Sequence, residues 1–292
     1  MMKVKYSKTI AIVFKNRKFK VGFVMLLAIL LMASLEPLIN YIRLGDKSPY
    51  EYASFDFWLP PSIEHPLGTD WFGRDVLALM LIGLKNSLII GFLAGLVSLL
   101  IGLPIALLAG YKGGLTDAVL SSIIDGILVI PTWLIIMVIV LYMKRVSMFT
   151  LALILGLFSW PFLARCVVGQ VRSLRNRAYI ELAIVSNMGT FEIIFLEILP
   201  NILPYILVGF SNSIVGAMMA EAAMGIIGLG STSLTLGMYI GSAITRGFFF
   251  RKIFHLVAFP ILLLLLVFIS FNLMNIGLDE LFNPRLRKIT GL

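Results

Sequence analysis

The sequence predicts an all-α integral membrane protein with six transmembrane helices and a short polar helical segment facing the cytoplasm between the fourth and fifth. Three observations carry this. The 292 residues are 60% apolar and only 13% charged, whereas soluble domains are about half apolar and a quarter charged. Uncharged runs reach spanning length, as in the 25 residues from Asn86 to Gly110, where about 20 suffice. Charge gathers instead in a few short segments between those runs. The mean hydropathy of +1.00 agrees.

Residues 1–20 hold seven Lys or Arg and no acid, a basic arm expected in the cytoplasm. The first span is expected over 21–43. Residues 44–83 form an extracytoplasmic segment, acidic through Asp46, Glu51, Asp56, Glu64, Asp70 and Asp75. Asp70 can cap the helix that follows and pair with Arg74 at i+4. The second span covers Asn86–Gly110, with Gly91 and Gly95 spaced for close helix approach. The third runs over 118–143 with Asp125 and Pro131 inside it, the fourth over 146–164, the fifth over 202–230 and the sixth over 256–278. Thus 84–285 is a five-helix core containing a polar loop at 172–204, and 286–292 is a cytoplasmic tail. Inner segments then carry about fifteen basic residues against about nine outside, in the positive-inside sense.

The loop 172–204 is the polar island of the chain. Ala178–Ser186 suits a short helix, and Asn187 and Gly189 can adopt the left-handed conformation that ends one. Thr190 can cap a second short helix that Pro200 closes.

Several chemistries are excluded. There is no Gly-Lys dipeptide and hence no P-loop. The single Cys166 forbids an internal disulfide or a multi-Cys metal site. His65 and His255 lack ligand-like partners, so no metal, cofactor or catalytic residue is expected. The net charge of +9 is read as lipid headgroup contact and topology bias, not nucleic acid.

Two acids fall inside spans, at about 2.5–3.5 kcal/mol each on insertion scales, so each should face protein or water. Gly209, Ser213, Ala217, Glu221 and Gly225 recur every four residues as one stripe, widened by Asn212, Gly216 and Ala220. The stripe is either a close-packing seam with Glu221 bonded to a neighbour or the wall of a solute path. Ile214 lies on the opposite side. Asp125, beside Ser121 and Ser122, reads either as a hydrogen-bonding centre or as a further path residue.

Several strings carry a family resemblance. Glu181-x-Ala183, a turn residue six positions after the Glu, and Ile198-Leu199-Pro200 resemble the coupling loop of ABC importer permeases. Asn187 stands at the family's usual Gly, and Leu182 stands for an Ala. Leu67-Gly-Thr-Asp70-x-x-Gly73-Arg74-Asp75 resembles a segment of the dipeptide/oligopeptide/nickel branch. Glu221 to Gly228-Leu-Gly230, Phe271-Asn-Leu273, Gly277-Leu-Asp279 and Asn283-Pro284-Arg285 look like the same branch, although a family Pro and Trp after Gly230 are missing. The resemblance implies half of a translocation pathway in the cell membrane, for peptides or other small oligomeric solutes, with nickel and oligosaccharides moved by relatives. It implies a second homologous permease subunit, two ATP-binding subunits that hydrolyse the ATP, and an extracytoplasmic solute-binding protein. Tyr179, Glu181, Ala183, Asn187, Gly189 and Pro200 would couple to the ATPase; Ser213, Ala217, Glu221, Gly225 and Asp125 would line the path. The competing expectation is an ion-coupled secondary transporter using Asp125 and Glu221.

Overall fold

The computed structural model describes residues 13–248 and 253–282. The family-like Asn283-Pro284-Arg285, the tail 286–292 and most of the basic arm lie outside the described residues. Helices α1 (Arg17–Ser34) and α2 (Glu36–Leu44) come first, followed by α3 (Val76–Lys112), α4 (Gly114–Val129), α5 (Thr132–Met143) and α6 (Met148–Arg175). Next are α7 (Ala178–Val185), α8 (Thr190–Ile226), α9 (Leu236–Thr245) and α10 (His255–Phe282). Among the described residues the only β pairing is an isolated bridge between Thr69 and Asp75.

Four of these helices are long and apolar enough to cross a membrane, and there are up to six spans if each bent pair counts as one. The bent pairs are α1 with α2, at 52°, and α4 with α5, at 69°. Both breaks have a proline just beyond them, Pro37 in the first turn of α2 and Pro131 immediately before α5. Before Pro131, Ile130 is extended at ψ 129°, as a pre-proline residue prefers. Pro37 sits in the first turn of α2, where its missing N–H is tolerated.

The chain forms two compact units interleaved along the sequence: Met1–Ile90, Val140–Leu151 and Met218–Leu292 in one, Gly91–Ile139 and Ala152–Ala217 in the other. In the first, α1 packs along α10. A Cβ at Gly22 would lie 2.5 Å from the Ser270 carbonyl oxygen, and one at Gly277 would lie 2.6 Å from Phe19, so hydrogen is the only side chain these two crossings accept. Asn16 caps α1, accepting from the backbone N–H groups of Lys18 and Phe19. At the far end of α10, Glu280 accepts from Asn16 and Lys18.

The second unit is built on one apolar cluster. Ala106 and Ala109 of α3, Leu163, Val167 and Val171 of α6, Ile180 of α7 and Ile193, Ile198 and Ile202 of α8 are all buried in it. Small residues on α3 let α6 close in: Gly102 lies against the Trp160 carbonyl and Gly110 against Val171.

Candidate functional site

The polar loop folds as a helix and a turn, but its second helix does not stop. α7 has only eight residues, a length marginal in water by itself. It is held because Ile180 and Ala183 are buried in the apolar cluster. Its end is a Schellman motif. The Met188 N–H donates to the Ala183 carbonyl at 3.1 Å, and the Asn187 N–H to the Ile184 carbonyl at 3.0 Å. Asn187 has φ +60°, the left-handed turn that the sequence predicted. Gly189 does not share it: at φ −66° it is extended and is itself the N-cap of α8. The expected Thr190 cap is therefore displaced by one residue, and Glu192 accepts from the Gly189 N–H at 3.0 Å.

Pro200 closes nothing. The helix passes through it in 37 continuous residues from Thr190 to Ile226. The reason is a π-turn over Ile193–Ile198, closed by the Leu199 N–H on the Ile194 carbonyl. A wider turn just upstream makes room for a ring that would clash in a regular helix.

One face of this element is anchored and the other is bare. Leu182, Val185, Phe191 and Phe195 are exposed apolar side chains, flanked by the exposed Glu181. Tyr179 sits between α7 and α8, where burial and the nearby Glu197 carboxylate push its phenol up.

The small-residue stripe on α8 is packed. Gly209 lies against Leu163. Ser213 is buried and shares a 3.1 Å hydrogen bond with Ser98. Ala217 is buried, and a Cβ at Gly225 would stand 2.6 Å from the Met238 backbone nitrogen. Glu221 is completely buried, with the Ser87 hydroxyl donating to Oε2 at 3.2 Å. Thr235 stands beside it, though no hydrogen bond of regular geometry reaches Oε1. The open side of α8 is the adjacent one, through Gly216, Met219 and Ala223; nothing lies within 4 Å of a Cβ built at Gly216. Ile214, expected on a neutral background face, is fully buried and abuts Gly95.

Asp125 does not gather Ser121 and Ser122. That centre sits two turns earlier, at Asp117, which Ser121 and Arg172 both approach, while Ser122 donates to the Ala118 carbonyl. Asp117 and Arg172 stand 55 residues apart in sequence, so no local pattern announced the pair. Asp125 instead faces Arg165 at 3.3 Å, with both side chains about half exposed. One helical turn further along the same two helices is a cavity of about 190 Å³, lined on its polar side by Thr132, Ser159, Asn212 and Ser213.

The acidic segment before α3 is folded around Asp75. Arg43 grips its carboxylate through both Nη atoms, at 2.9 and 3.0 Å, and His65 Nδ1 lies at 2.8 Å. The Ala78 N–H donates to it at 2.9 Å, so Asp75 is the cap of α3, not Asp70. Burial raises the Asp75 carboxyl, but Arg43, His65 and the Ala78 N–H outweigh it and hold the group below its ordinary value. Asp70 closes a turn on the Phe72 and Arg74 N–H groups and pairs with Arg74 as expected. Trp71 and Phe72 lie under the Arg246 guanidinium.

The fold thus defines a multi-pass helical membrane protein with a rigidly anchored loop whose outer surface is bare. Residues 102–288 match the family described as "Binding-protein-dependent transport system inner membrane component". The dipeptide transport system permease protein DppC of Haemophilus influenzae is 31% identical over 282 residues, 94% of this chain and 92% of that protein. The oligopeptide transport system permease protein OppC of Bacillus subtilis is 28% identical, covering 94% and 87%. Among solved structures, the MetNI methionine ABC transporter in inward-facing conformations shares the fold, with a TM-score of 0.54 at 19% identity over 68% of this chain and 94% of that one. The chain belongs to the binding-protein-dependent inner membrane component family. It is a permease subunit of an ABC importer, and ATP hydrolysis falls to partner subunits. That membership sets aside the ion-coupled reading of Asp125 and Glu221.

Proposed function

We propose that this chain forms half of a pathway for short peptides, beside a second homologous permease subunit. Two ATP-binding subunits would grip α7 and the start of α8, and an extracytoplasmic protein would deliver the solute. The observation that carries the coupling assignment is the two-faced loop: Ile180, Ala183, Ile193 and Ile198 are buried, while Leu182, Val185 and Phe191 are exposed. Exposed apolar patches of this kind mark partner surfaces, and a partner pulling there pulls on the core. The peptide assignment rests on the relatives, whose names are those of dipeptide and oligopeptide permeases.

We read each bent pair as one span, which gives six and puts both termini and α7 in the cytoplasm. The segment 44–83 is then extracytoplasmic and 84–285 is the permease core. On α8 the path-facing side is the open one at Gly216, with Asp125 a separate path candidate; Ser213, Ala217, Glu221 and Gly225 are the seam behind it. Packing supports this division, because every one of those four is covered by its own chain.

The test is uptake of radiolabelled tri-alanine by proteoliposomes holding the complete importer. Uptake should require ATP on the side that bears α7 and persist with a proton uncoupler, and the purified chain alone should hydrolyse no ATP. Nucleotide-independent uptake that collapses with the uncoupler refutes the reading.

A further inference from the structure

Within the second unit, α4 and α6 run side by side and present two acid–base pairs that differ in kind. Asp117 and Arg172 are closed by Ser121, which donates to Asp117 Oδ1 at 3.0 Å and stands 2.6 Å from Arg172 Nη2. Among the described residues, Asp125 and Arg165 have no such third group. Their contact is a single 3.3 Å approach of Nη1 to Oδ1, with the side chains 49% and 47% exposed. Both residues lie inside segments apolar enough to cross a membrane. A charge presented to hydrocarbon at a helix centre costs about 2.5–3.5 kcal/mol. Asp125 falls within the third expected span and Arg165 at the end of the fourth, so the half-exposed Asp125 is expected to face water or a polar solute.

Neither residue of the pair lines the cavity itself, but each stands one helical turn from residues that do. Leu128 is one helical turn beyond Asp125, and Phe162 and Pro161 are one turn from Arg165, so each shares a helix face with its charged neighbour; all three line the cavity. The cavity's 190 Å³ equals about six waters of liquid volume, enough for one end of a small solute. Its remaining lining mixes apolar Ile127, Ile130 and Phe158 with polar Thr132, Ser159, Asn212 and Ser213.

We propose that Arg165 and this cavity form a carboxylate-binding subsite that takes the free C-terminus of a peptide, with Asp125 as the residue that positions the guanidinium. A guanidinium carries five donors in a planar fork that matches a carboxylate bidentately. Asp125 occupies one of these at its single contact, and the terminal side chain of the peptide enters the apolar part of the cavity. The inference rests on the peptide reading above and narrows it: the membrane step, not only the solute-binding protein, distinguishes an acid from an amide.

The experiment compares tri-alanine with tri-alanine amide in proteoliposomes holding the complete importer, at concentrations that saturate the solute-binding protein. That protein is the same in every assay, so the ratio of variant to wild-type uptake for each peptide isolates the permease. Arg165→Gln should lower uptake of the acid about tenfold or more and leave the amide ratio near one; Arg165→Lys should recover most of the acid uptake. In a Cys166→Ser background, tri-alanine should slow N-ethylmaleimide alkylation of the Thr132→Cys variant, and Arg165→Gln should abolish that protection. Equal losses for acid and amide, or protection that survives Arg165→Gln, overturn the subsite while leaving the peptide reading standing. A wild-type importer that moves neither peptide with ATP present overturns both.

Discussion

Asn187 is the residue at which a small backbone change should separate ATP hydrolysis from transport. It sits at φ +60°, and its own N–H and that of Met188 close the two hydrogen bonds that end α7. Replacing it with valine puts a β-branched Cβ against the following carbonyl, at a cost of about 1–2 kcal/mol. With eight residues, α7 holds little propensity in reserve. The chain therefore escapes the strain by moving the turn, which lifts Met188 off the apolar cluster it packs against. A difference of 1–2 kcal/mol is a factor of about 5–30 in a two-state population, so most molecules would present a misplaced α7. The assay is the ratio of peptide transported to ATP hydrolysed in proteoliposomes. Asn187→Val should lower it several-fold in protein that still inserts and assembles, and Asn187→Gly, which accepts φ > 0 freely, should leave it unchanged. If the two variants give the same ratio, the left-handed turn has no part in coupling and the docking assignment of α7 falls with it.

Other consequences follow from the packing. Gly225→Leu should abolish assembly, because its Cβ alone would meet the Met238 nitrogen at 2.6 Å, whereas Gly216→Leu should yield folded protein, its Cβ meeting nothing; detergent size-exclusion profiles separate the two. Glu221→Gln should change thermal stability little, since the amide keeps an acceptor for Ser87, while Ser87→Ala removes the donor to a buried carboxyl and should cost about 1–3 kcal/mol. Gly73→Ala should loosen the extracytoplasmic segment to limited proteolysis, because φ is +70° and the new Cβ would stand 2.2 Å from the Phe55 carbonyl oxygen. The same segment should resist proteolysis at neutral pH and open in acid. Asp75 is depressed when folded, so its contribution is complete above its unfolded value of about 3.9 and is lost as pH falls through the folded one.

The all-helical, membrane-spanning character was legible because apolar run length is a property of contiguous residues, and the left-handed turn was legible because few side chains besides Gly tolerate it as Asn does. Pro200 misled because the π-turn that accommodates it depends on how Ile193, Ile194 and Ile198 bury together, which a linear pattern does not encode. Ile214 was misplaced for a simpler reason. It stands three residues before Ala217 and so lies beside the stripe, not opposite it, and here α3 covers Ile214 through Gly95. The Asp75 network escaped because Arg43 is 32 residues away, and the segment's turns use Ala53 at φ 56° and Trp58 at φ 62°, residues with no sequence signal for that conformation.

The unbroken course of α8 has a mechanical meaning. Thirty-seven residues at about 1.5 Å each make a rod about 55 Å long, and Phe191 and Gly225 ride near its two ends. Regular helix is stiff along its axis, so on the proposed coupling a pull at Phe191 would pass into α8 rather than be lost in a loop. Pro204 inside the helix is one departure from regularity; the π-turn at Ile193–Ile198 is another, a compliant collar set just inside the docking end. It lets the surface that meets a partner tilt to fit without bending the rest of the rod. On the proposed coupling, alignment and power transmission are thereby assigned to different parts of one helix, and stiffening the collar would impair the first without touching the second.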